Sequence, residues 1–252
     1  MVKALKKPKL YPDLVSEVNL GFFYSDSVKQ NIIIGVDEVG RGCLAGTVVA
    51  AAALLCPERV IKMGFLINGQ RGRGFRKNPK GTDHPIRRIQ DSKMIPEEDR
   101  EMFRDAAKEF ALGFAIGEAS VQEIESLNIL YASHLAMERA VTQLEESLKI
   151  RADWIVVDGH LVPKAFLGRG QPLIKGDQKS LSIACASIIA KVYRDSIMKQ
   201  MDNEYPGYGW KNNKGYGTPY HKRQIELLGP TPIHRRGFKG VLLDLDFSEE
   251  DV

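Results

Sequence analysis

An apolar run that ends in two acids constrains the fold of this chain more than any other feature of the sequence. The run 32–36 contains no polar side chain, and Asp37 and Glu38 follow it directly. A short, mainly β-branched run of this kind predicts a buried strand. Carboxylates beside a buried strand are costly unless they are paired, and a divalent cation is an effective partner. An ordinary strand end with solvated acids is the alternative.

A glycine-rich turn follows the two acids. Gly40, Arg41 and Gly42 come next, and glycine is needed where the backbone turns sharply or where a ligand approaches it closely. Successive side chains of a strand point to opposite faces, so Asp37 and Glu38 can share one ion only where the strand ends and turns. The sequence therefore predicts a candidate ligand site at this strand end.

Two later segments repeat the pattern of an apolar stretch followed by an acid. The run 154–157 ends at Asp158 and Gly159, and the segment 173–176 ends at Asp177. Functional sites of open α/β sheets gather at strand ends. The repetition favours one shared site over three unrelated surface acids.

Other segments predict further strands and helices. Residues 47–55 indicate a buried strand, residues 112–118 indicate a further strand, and residues 180–203 indicate a helix rich in small side chains. Ser120 and Glu123 have the spacing of a capping box, which predicts a helix that begins there. These elements suit an α/β protein, but the sequence does not fix their order in a sheet.

Two polar residues within predicted helices are assigned structural roles. His134 lies on an apolar helix face with no second ligand three or four residues away, which favours a packed or boundary histidine over a metal ligand. Asp195 is expected to pair with Arg194 or Lys199.

Composition restricts the classes of protein that remain. The 252 residues suffice for one large domain or for a domain with a small appendage, and a net charge of +4 is compatible with nucleic acid. Three cysteines without a Cys-x-x-Cys pair argue against a disulfide framework and a cysteine zinc site, which suits the cytoplasm. No apolar stretch approaches 18 residues, so we expect neither a membrane span nor a signal peptide.

Two basic segments suggest contacts with phosphates. Residues 69–89 carry seven lysines and arginines against Asp83 alone, which predicts a flexible basic loop. A solvated surface insertion and a phosphate-attracting loop both remain open. From residue 205 the chain interleaves aromatic and basic side chains, which suits stacking on sugars or bases. The alternative is a loop whose aromatic side chains, Tyr205 and Trp210 among them, pack on the core.

Eight segments in this order together resemble ribonuclease HII across residues 31–240. They are GVDEVGRG with Asp37 and Glu38, Asp91-Ser92-Lys93, Asn128-Ile129-Leu130, VVDG with Asp158, KGD with Asp177, ASIIAKVYRD, YPGYGWKNNKGYGT and GPTPIHRRGF. The resemblance implies an α/β, ribonuclease-H-like mixed sheet flanked by helices: three antiparallel strands extended by parallel strands, with a C-terminal helical appendage. The division expected from it is an N-terminal extension (1–30), a catalytic domain (31–204) with the basic insertion, a substrate-contacting segment (205–246) and an acidic tail (247–252).

The resemblance also implies an activity. It is that of a cytoplasmic, monomeric endonuclease that cleaves the RNA strand of RNA/DNA hybrids and incises 5′ to single ribonucleotides in duplex DNA. The products would be a 5′-phosphate and a 3′-hydroxyl. The four catalytic carboxylates of the family, which hold two Mg²⁺ or Mn²⁺ ions, are matched by Asp37, Glu38, Asp158 and Asp177. Substrate-binding positions of the family are matched by Gly40, Arg41, Gly42, Ser92, Lys93 and Tyr216, with Lys191 a further candidate.

Three departures from the family pattern stand near these positions. Cys43 replaces the usual proline after Gly-Arg-Gly and is expected to loosen that turn, Asn213 replaces a histidine, and Gly237 replaces a serine. Two rival functions remain: a non-catalytic nucleic-acid-binding protein with the same fold, and a related nuclease such as a junction resolvase or an enzyme that needs several consecutive ribonucleotides. Retention of all four acids argues against the first rival, and the Gly-Arg-Gly turn with Tyr216 argues against the second.

Overall fold

A computed structural model describes residue 12 and residues 14–21, 31–62, 84–89 and 91–241. In this part of the chain, five strands form one mixed sheet. The strands are β1 (Ile33–Val39), β2 (Val48–Leu55), β3 (Ala111–Ala119), β4 (Trp154–Asp158) and β5 (Gly170–Leu173). Their order across the sheet is β3-β2-β1-β4-β5. β1 pairs antiparallel with β2 and parallel with β4, β2 pairs antiparallel with β3, and β4 pairs parallel with β5. The expected three antiparallel strands extended by parallel strands are confirmed.

Helices cover both faces of this sheet. They are α1 (Val15–Asn19), α2 (Pro57–Lys62), α3 (Arg100–Phe110), α4 (Val121–Leu148), α5 (Leu181–Glu204), α6 (Trp210–Asn213) and α7 (Pro219–Leu228). The buried side chains of α4 pack on one face, together with Ile34 and Val36 of β1. Those of α5 pack on the other face, together with Ile33 and Val39. Successive residues of β1 therefore serve two different cores.

Small residues in the sheet let both long helices approach it closely. β2 is buried along its whole length and carries four consecutive alanines, 50–53. A Cβ atom on Gly35 would lie 2.4 Å from the backbone of Ser182 in α5, and one on Gly117 would lie 2.1 Å from the Ala136 carbonyl in α4. Contacts this short exclude any side chain at the two positions. Close contact at Gly35 places α5 directly beside the part of β1 that carries the first acid.

The predicted capping box at the start of α4 is confirmed, and the helix contains one break. The Ser120 side chain accepts from the Glu123 backbone N–H, and Glu123 accepts from that of Ser120. Asn128 adopts a non-helical conformation, with φ of 66°, and its side-chain oxygen accepts from the N–H groups of Leu130 and Tyr131. Asn128 thus caps the remainder of the helix as Ser120 caps its beginning.

The C-terminal segment packs against α5 and the connection between β1 and β2 through its own small core. α6 and α7 follow α5, and their buried side chains Trp210 and Ile225 form a cluster with Leu44, Ala45 and Met198. The helical appendage is therefore joined to the connection between β1 and β2. Trp210 is fully buried, as the packing alternative expected, whereas Tyr205 is only partly buried.

Residues 14–19 are not peripheral, contrary to the expectation for an N-terminal extension. Leu14 belongs to the core beside α5, and Glu17 in α1 is completely buried. Glu17 accepts hydrogen bonds from the hydroxyls of Ser180 and Ser182 and from the Ser182 backbone N–H, at 2.6 to 3.0 Å. The helix is held because its acid binds donors at the first turn of α5. The rest of 1–30, apart from residue 12 and residues 20–21, lies outside the described residues.

The prediction of a flexible basic loop over 69–89 is wrong for the C-terminal end of that segment. Residues 84–89 contain a short 3₁₀ helix, Pro85–Arg88, whose Ile86 side chain is buried in the core together with Ile89. Two isoleucines at this spacing anchor the segment against α3. The remainder of the predicted loop, 69–83, lies outside the described residues.

Candidate active site

Asp37 and Asp158 lie side by side at one end of the sheet. The parallel register pairs Val36 with Val157, so the two aspartates are the next residues along neighbouring strands. Side chains in equivalent positions of paired strands point to the same face, and neighbouring strands are about 4.8 Å apart. That face is the one covered by α5, because Ile33 and Val156 belong to its core. The fold thus joins two acids that are remote in sequence.

Asp177 reaches the same place from a turn and not from a strand end as expected. β5 stops at Leu173, and Asp177 lies in a 3₁₀ helix, Gly176–Gln178, just before α5. The Gly176 backbone N–H donates to the Asp158 carboxylate at 2.6 Å. A Cβ on Gly176 would lie 3.2 Å from that carboxylate oxygen and 2.5 Å from Ile183, so glycine permits the close approach. This hydrogen bond ties the turn to the end of β4.

Glu38 differs in position from the other three acids. β1 continues to Val39, so Asp37 and Glu38 lie within the strand, whereas the sequence suggested that they follow its end. Glu38 therefore points to the opposite face from Asp37. The Arg41 guanidinium donates to the Glu38 carboxylate at 3.1 Å, and the glutamate side chain is 12% exposed. This ion pair links the fourth acid to the glycine-rich turn.

The four acids form one electrostatic group. Burial raises the pKa of Asp37 well above its usual range, and the charges of Glu38, Asp158 and Asp177 raise it further, while a hydrogen bond from Ser187 opposes the shift. Burial, together with the charge of Asp158, raises the pKa of Asp177 to about 6. For Glu38, burial raises the pKa and the Arg41 charge acts against it. Negative charge at this end of the sheet is therefore incompletely compensated by the protein.

A divalent cation fits this donor set chemically. Hard cations bind carboxylate oxygens, and their charge would relieve the repulsion that raises these pKa values. Among the residues that the structure describes, however, no three His, Cys, Asp or Glu side chains are already arranged as a metal cage. Mg²⁺ commonly takes only one or two protein carboxylates and completes its octahedron with waters and phosphate oxygens. The residues present fit an ion that shares its coordination with a substrate.

The turn at residues 40–43 lies between the acids and the C-terminal segment. Gly40 has φ of 96°, in the left-handed region, and Gly42 has open space where a Cβ would be. Cys43 forms an isolated β-bridge with Tyr216. The predicted positions of the turn and of Tyr216 are thus adjacent, although 173 residues separate Cys43 and Tyr216 in the sequence.

Cys43, which the sequence suggested would loosen the turn, forms two hydrogen bonds there. Its backbone N–H donates to the Gly40 carbonyl at 3.4 Å, a bond that proline could not form, and its thiol donates to the Lys214 carbonyl at 3.7 Å. Asn213 also has a role here, because its side chain accepts from the Gly215 N–H and donates to the Tyr208 carbonyl. Gly237 is exposed, and a Cβ added to it would have no neighbouring atom within 4 Å.

Ser92 and Lys93 line the same end of the sheet with opposite exposure. Ser92 is buried, and its hydroxyl lies 3.1 Å from that of Ser187 of α5, within hydrogen-bond distance. Lys93 is exposed, and its charge lowers the pKa of Asp177, so the two side chains are close. Lys93 is thus free to reach a phosphate, whereas the buried Ser92 contacts Ser187, which lies beside Asp37.

Helix α5 carries a buried ionic group whose partners the sequence assigned incorrectly. Asp195 pairs with Lys191 at 2.7 Å and with Arg100 of α3 at 3.1 Å. The expected partners are engaged elsewhere: Lys199 pairs with Glu97, and Arg194 binds backbone carbonyls. Lys191 also lies over the Tyr216 ring, 5.9 Å from its centroid. Because Lys191 is paired with Asp195, a supporting role is favoured for this lysine over direct contact with a phosphate.

Two buried histidines support the Tyr216 turn and were not identified from the sequence. His221 Nδ1 donates to the Tyr216 carbonyl at 2.9 Å, and His221 Nε2 accepts from the Trp210 indole at 3.0 Å. His234 Nδ1 accepts from the Thr231 backbone N–H, so its Nε2 carries the hydrogen, and this atom lies 3.1 Å from His221 Nε2. The donors fix both rings as neutral tautomers. His134, by contrast, is a half-buried boundary histidine, and burial lowers its pKa.

Comparison with known proteins decides the family. Residues 86–241 match the family model described as Ribonuclease HII. Ribonuclease HII of Cereibacter sphaeroides is 45% identical over 209 residues, which cover 83% of this chain and 84% of that protein. The chain belongs to the ribonuclease HII family. It is therefore an endoribonuclease, and ribonuclease HII membership implies divalent-metal-dependent cleavage of the RNA in RNA/DNA hybrids.

Solved structures confirm the fold of this ribonuclease HII. The crystal structure of ribonuclease H2 from Pyrococcus horikoshii OT3 has a TM-score of 0.60 and 23% identity, and the match covers 83% of this chain and 94% of that one. The structure of Bst-RNase HIII in complex with Mn²⁺ has a TM-score of 0.58 and 17% identity, covering 91% and 79% of the two chains. Both likenesses establish the ribonuclease-H-like sheet. Within the described ranges, no helix is long and apolar enough to cross a membrane.

Proposed function

We propose that this ribonuclease HII incises duplex DNA on the 5′ side of a single embedded ribonucleotide, as well as cleaving RNA in hybrids. The products are a 5′-phosphate and a 3′-hydroxyl. Asp37, Glu38, Asp158 and Asp177 serve as the catalytic carboxylates and hold two divalent ions, Mg²⁺ or Mn²⁺. The observation that carries the proposal is the convergence of these acids beside the glycine-rich turn: Asp37 and Asp158 lie on paired strands, Gly176 ties the turn of Asp177 to Asp158, and Glu38 pairs with Arg41.

The protein side chains bind and orient the reacting groups. When bound, a pair of divalent ions activates the attacking water and stabilises the charge that develops on the phosphate and leaving oxygen. Asp37 and Asp158 are positioned by paired strands, and the Gly176 hydrogen bond orients Asp158. Lys93 is exposed near Asp177 and attracts a substrate phosphate. The carboxylates would hold a divalent ion only in part, and the scissile phosphate would supply the remaining oxygen ligands.

Recognition of the ribonucleotide is assigned to the turn and to Tyr216. Gly40, Arg41 and Gly42 present backbone to the 2′-hydroxyl, the group that distinguishes RNA from DNA. Tyr216 stacks on the deoxyribose beside the RNA–DNA junction. The bridge between Cys43 and Tyr216 supports this assignment, because it brings the two recognition elements together.

The test is cleavage of an end-labelled DNA duplex that contains one ribonucleotide, assayed with and without Mg²⁺ or Mn²⁺. An all-DNA duplex and an RNA/DNA hybrid are assayed beside it. The parent should cut the first substrate at one position, 5′ to the ribonucleotide, and should leave the all-DNA duplex intact. Cleavage of the hybrid alone would support the rival enzyme that needs several ribonucleotides and would overturn this proposal.

Substitution of the acids tests the metal assignment. Asp37→Asn or Asp158→Asn should lower kcat by at least about 100-fold, because each removes several kcal/mol of transition-state stabilisation, while binding of the substrate survives. The matched control is Asp105→Asn, an exposed aspartate paired with Arg104, which should leave turnover unchanged. Near-normal turnover by either site variant at saturating Mg²⁺ would contradict the two-ion assignment.

A further inference from the structure

We infer that Arg194 and Arg235 are positioning residues for ribonucleotide recognition, because together they fix the orientation of the turn at residues 40–43. The inference rests on the proposed function and deepens it. Both arginines are completely buried. One comes from α5 and the other from the segment after α7, so the turn is held from two sides.

Arg235 binds four backbone carbonyls of the connection between β1 and β2. Its Nε donates to the Gly46 carbonyl at 2.9 Å, and its Nη2 donates to that of Thr47 at 3.1 Å. Its Nη1 donates to the carbonyls of Arg41 at 3.0 Å and Cys43 at 2.9 Å. One rigid guanidinium thus fixes the direction of four peptide groups.

Arg194 binds the same connection from the helix. Its three nitrogens donate to the carbonyls of Thr47, Ala45 and Lys214, at 2.8 to 3.0 Å. A Cβ on Gly40 would lie 2.2 Å from Arg194 Nε, so the turn closes directly over this side chain. Lys214 precedes the Tyr216 turn by two residues. The arginine therefore links the two recognition elements.

Neither arginine has an acidic partner in the part of the chain that the structure describes. The ion pairs found there involve other basic side chains, and burial lowers the pKa of Arg235 to about 10. A buried guanidinium costs free energy unless its donors are satisfied. Here backbone carbonyls alone satisfy them. Each of these carbonyl oxygens consequently points toward a buried positive charge, which fixes the orientation of its peptide group.

The orientation of these peptide groups determines where the N–H groups of the turn point. In a trans peptide the C=O and the following N–H lie on opposite sides of the peptide plane. Because the Arg41 carbonyl is bound to Arg235 inside the protein, the Gly42 N–H is directed outward. Arg41 and Gly42 are exposed, and within the described ranges neither backbone N–H donates a hydrogen bond. The turn therefore offers unpaired donors to a substrate.

An outward N–H on a glycine suits an oxygen acceptor that approaches closely. The 2′-oxygen of a ribonucleotide is such an acceptor, and DNA lacks it at the same position. Gly42 also leaves open space where a side chain would be. The two arginines thus determine selectivity through the turn, although they do not contact the substrate themselves.

The experiment compares the binding of two duplexes that differ in one 2′-hydroxyl. The proteins are the parent and the variants Arg235→Lys and Arg194→Lys, with Arg223→Lys, an exposed arginine, as the matched control. Affinities for a duplex with one ribonucleotide and for its all-deoxy counterpart are measured without divalent metal. The parent should prefer the ribonucleotide by about tenfold, the contribution of one good hydrogen bond. In both site variants this ratio should approach one, with little change in affinity for the all-deoxy duplex. The reason is that the lysine ammonium cannot reproduce the several fixed N–H donors of the arginine guanidinium.

The outcomes are distinct. An unchanged ratio in folded variants, or equal weakening of binding to both duplexes, would overturn the inference, because either result indicates general support of the fold. Should the variants fail to fold, the parent is tested with a 2′-fluoro nucleotide, a poor acceptor, which should bind like the deoxy form; binding like the ribonucleotide would overturn the donor role. A parent that neither prefers nor cuts the ribonucleotide duplex would overturn the proposed function itself.

Discussion

At the scale of single residues, the acids and the turn have different tolerances to change. The acids are constrained by their mutual repulsion, whereas the turn is constrained by backbone geometry. Gly40 cannot accept a side chain, because its φ is positive and Arg194 lies beneath it. Gly42 has no such restriction. The second glycine can therefore be changed without disturbing the protein.

Gly42→Ala should separate recognition from folding. The added methyl group meets no protein atom within 4 Å, so the free energy of unfolding should change by less than about 0.5 kcal/mol. Incision at a lone ribonucleotide should nevertheless fall by about tenfold or more, because the methyl group occupies the space proposed for the 2′-hydroxyl. Gly237→Ala, at a site that is equally open, is the control. Equal incision rates for Gly42→Ala and the parent would argue against the turn as the sensor.

At the scale of secondary-structure elements, the sequence predicted those elements whose signals are local. The buried strands β1, β2 and β4 follow from apolar runs, and the start of α4 follows from Ser120 and Glu123. The turn that carries Asp177 and the partners of Asp195 were not predicted. Lys191 is at the helical i,i+4 spacing, but adjacent Arg194 cannot face Asp195 on a helix. Arg100 comes from another element, which no local pattern indicates.

Helix α1 should contribute to stability through Glu17. Glu17→Ala removes the acceptor of three hydrogen bonds and leaves the Ser180 and Ser182 donors buried without it. The free energy of unfolding should fall by about 2–4 kcal/mol, measured by urea denaturation. Glu17→Gln keeps one oxygen acceptor, and burial already raises the pKa of Glu17, so neutral glutamine should cost much less. Similar losses for the two variants would show that the hydrogen bonds are not what holds α1.

The two histidines of the C-terminal segment should make stability depend on pH. Burial lowers the pKa of His234 from 6.5 to about 4 and lowers that of His221 as well. The unfolded chain then binds more protons than the folded chain between these values, so stability is complete above pH 6.5 and declines as the pH falls toward 4. Between pH 7 and pH 5 the loss should be about 2 kcal/mol.

The measurement is the free energy of unfolding across that pH range. His234→Asn should show a smaller decline than the parent, whereas His160→Asn, at an exposed histidine, should decline like the parent. Parallel curves for all three proteins would contradict the linkage.

At the scale of the whole molecule, long-range contacts decide the architecture of the candidate site. Arg235 binds the Arg41 carbonyl across 194 residues, and Cys43 bridges to Tyr216. Both arginines lie in segments that the sequence marked, ASIIAKVYRD and HRRGF, but nothing local shows that a guanidinium will bind carbonyls. The four acids could be named from the sequence because a family resemblance named them. The long-range contacts that support them could not be predicted.

The basic segment outside the described residues should govern the salt dependence of binding. Replacement of Arg71, Arg73 and Arg76 by serine should reduce the slope of log K against log salt by about 0.9 for each phosphate that the protein no longer neutralises. Replacement by serine of Lys149 and Arg151, which precede β4 at the end of the sheet opposite Asp158, is the comparison, and it removes two positive charges where the first variant removes three. An unchanged slope in the first variant would favour a solvated surface segment.

The hydrogen bonds between Arg235 and the connection after β1 have a consequence for synthesis of the enzyme. The strands that bear Asp37 and Asp158 leave the ribosome well before residue 235 does. A nascent chain therefore has its acids early, but the backbone that would recognise ribose is braced only when translation is nearly complete. Recognition of the ribonucleotide, as proposed here, should therefore require that the final segment has docked.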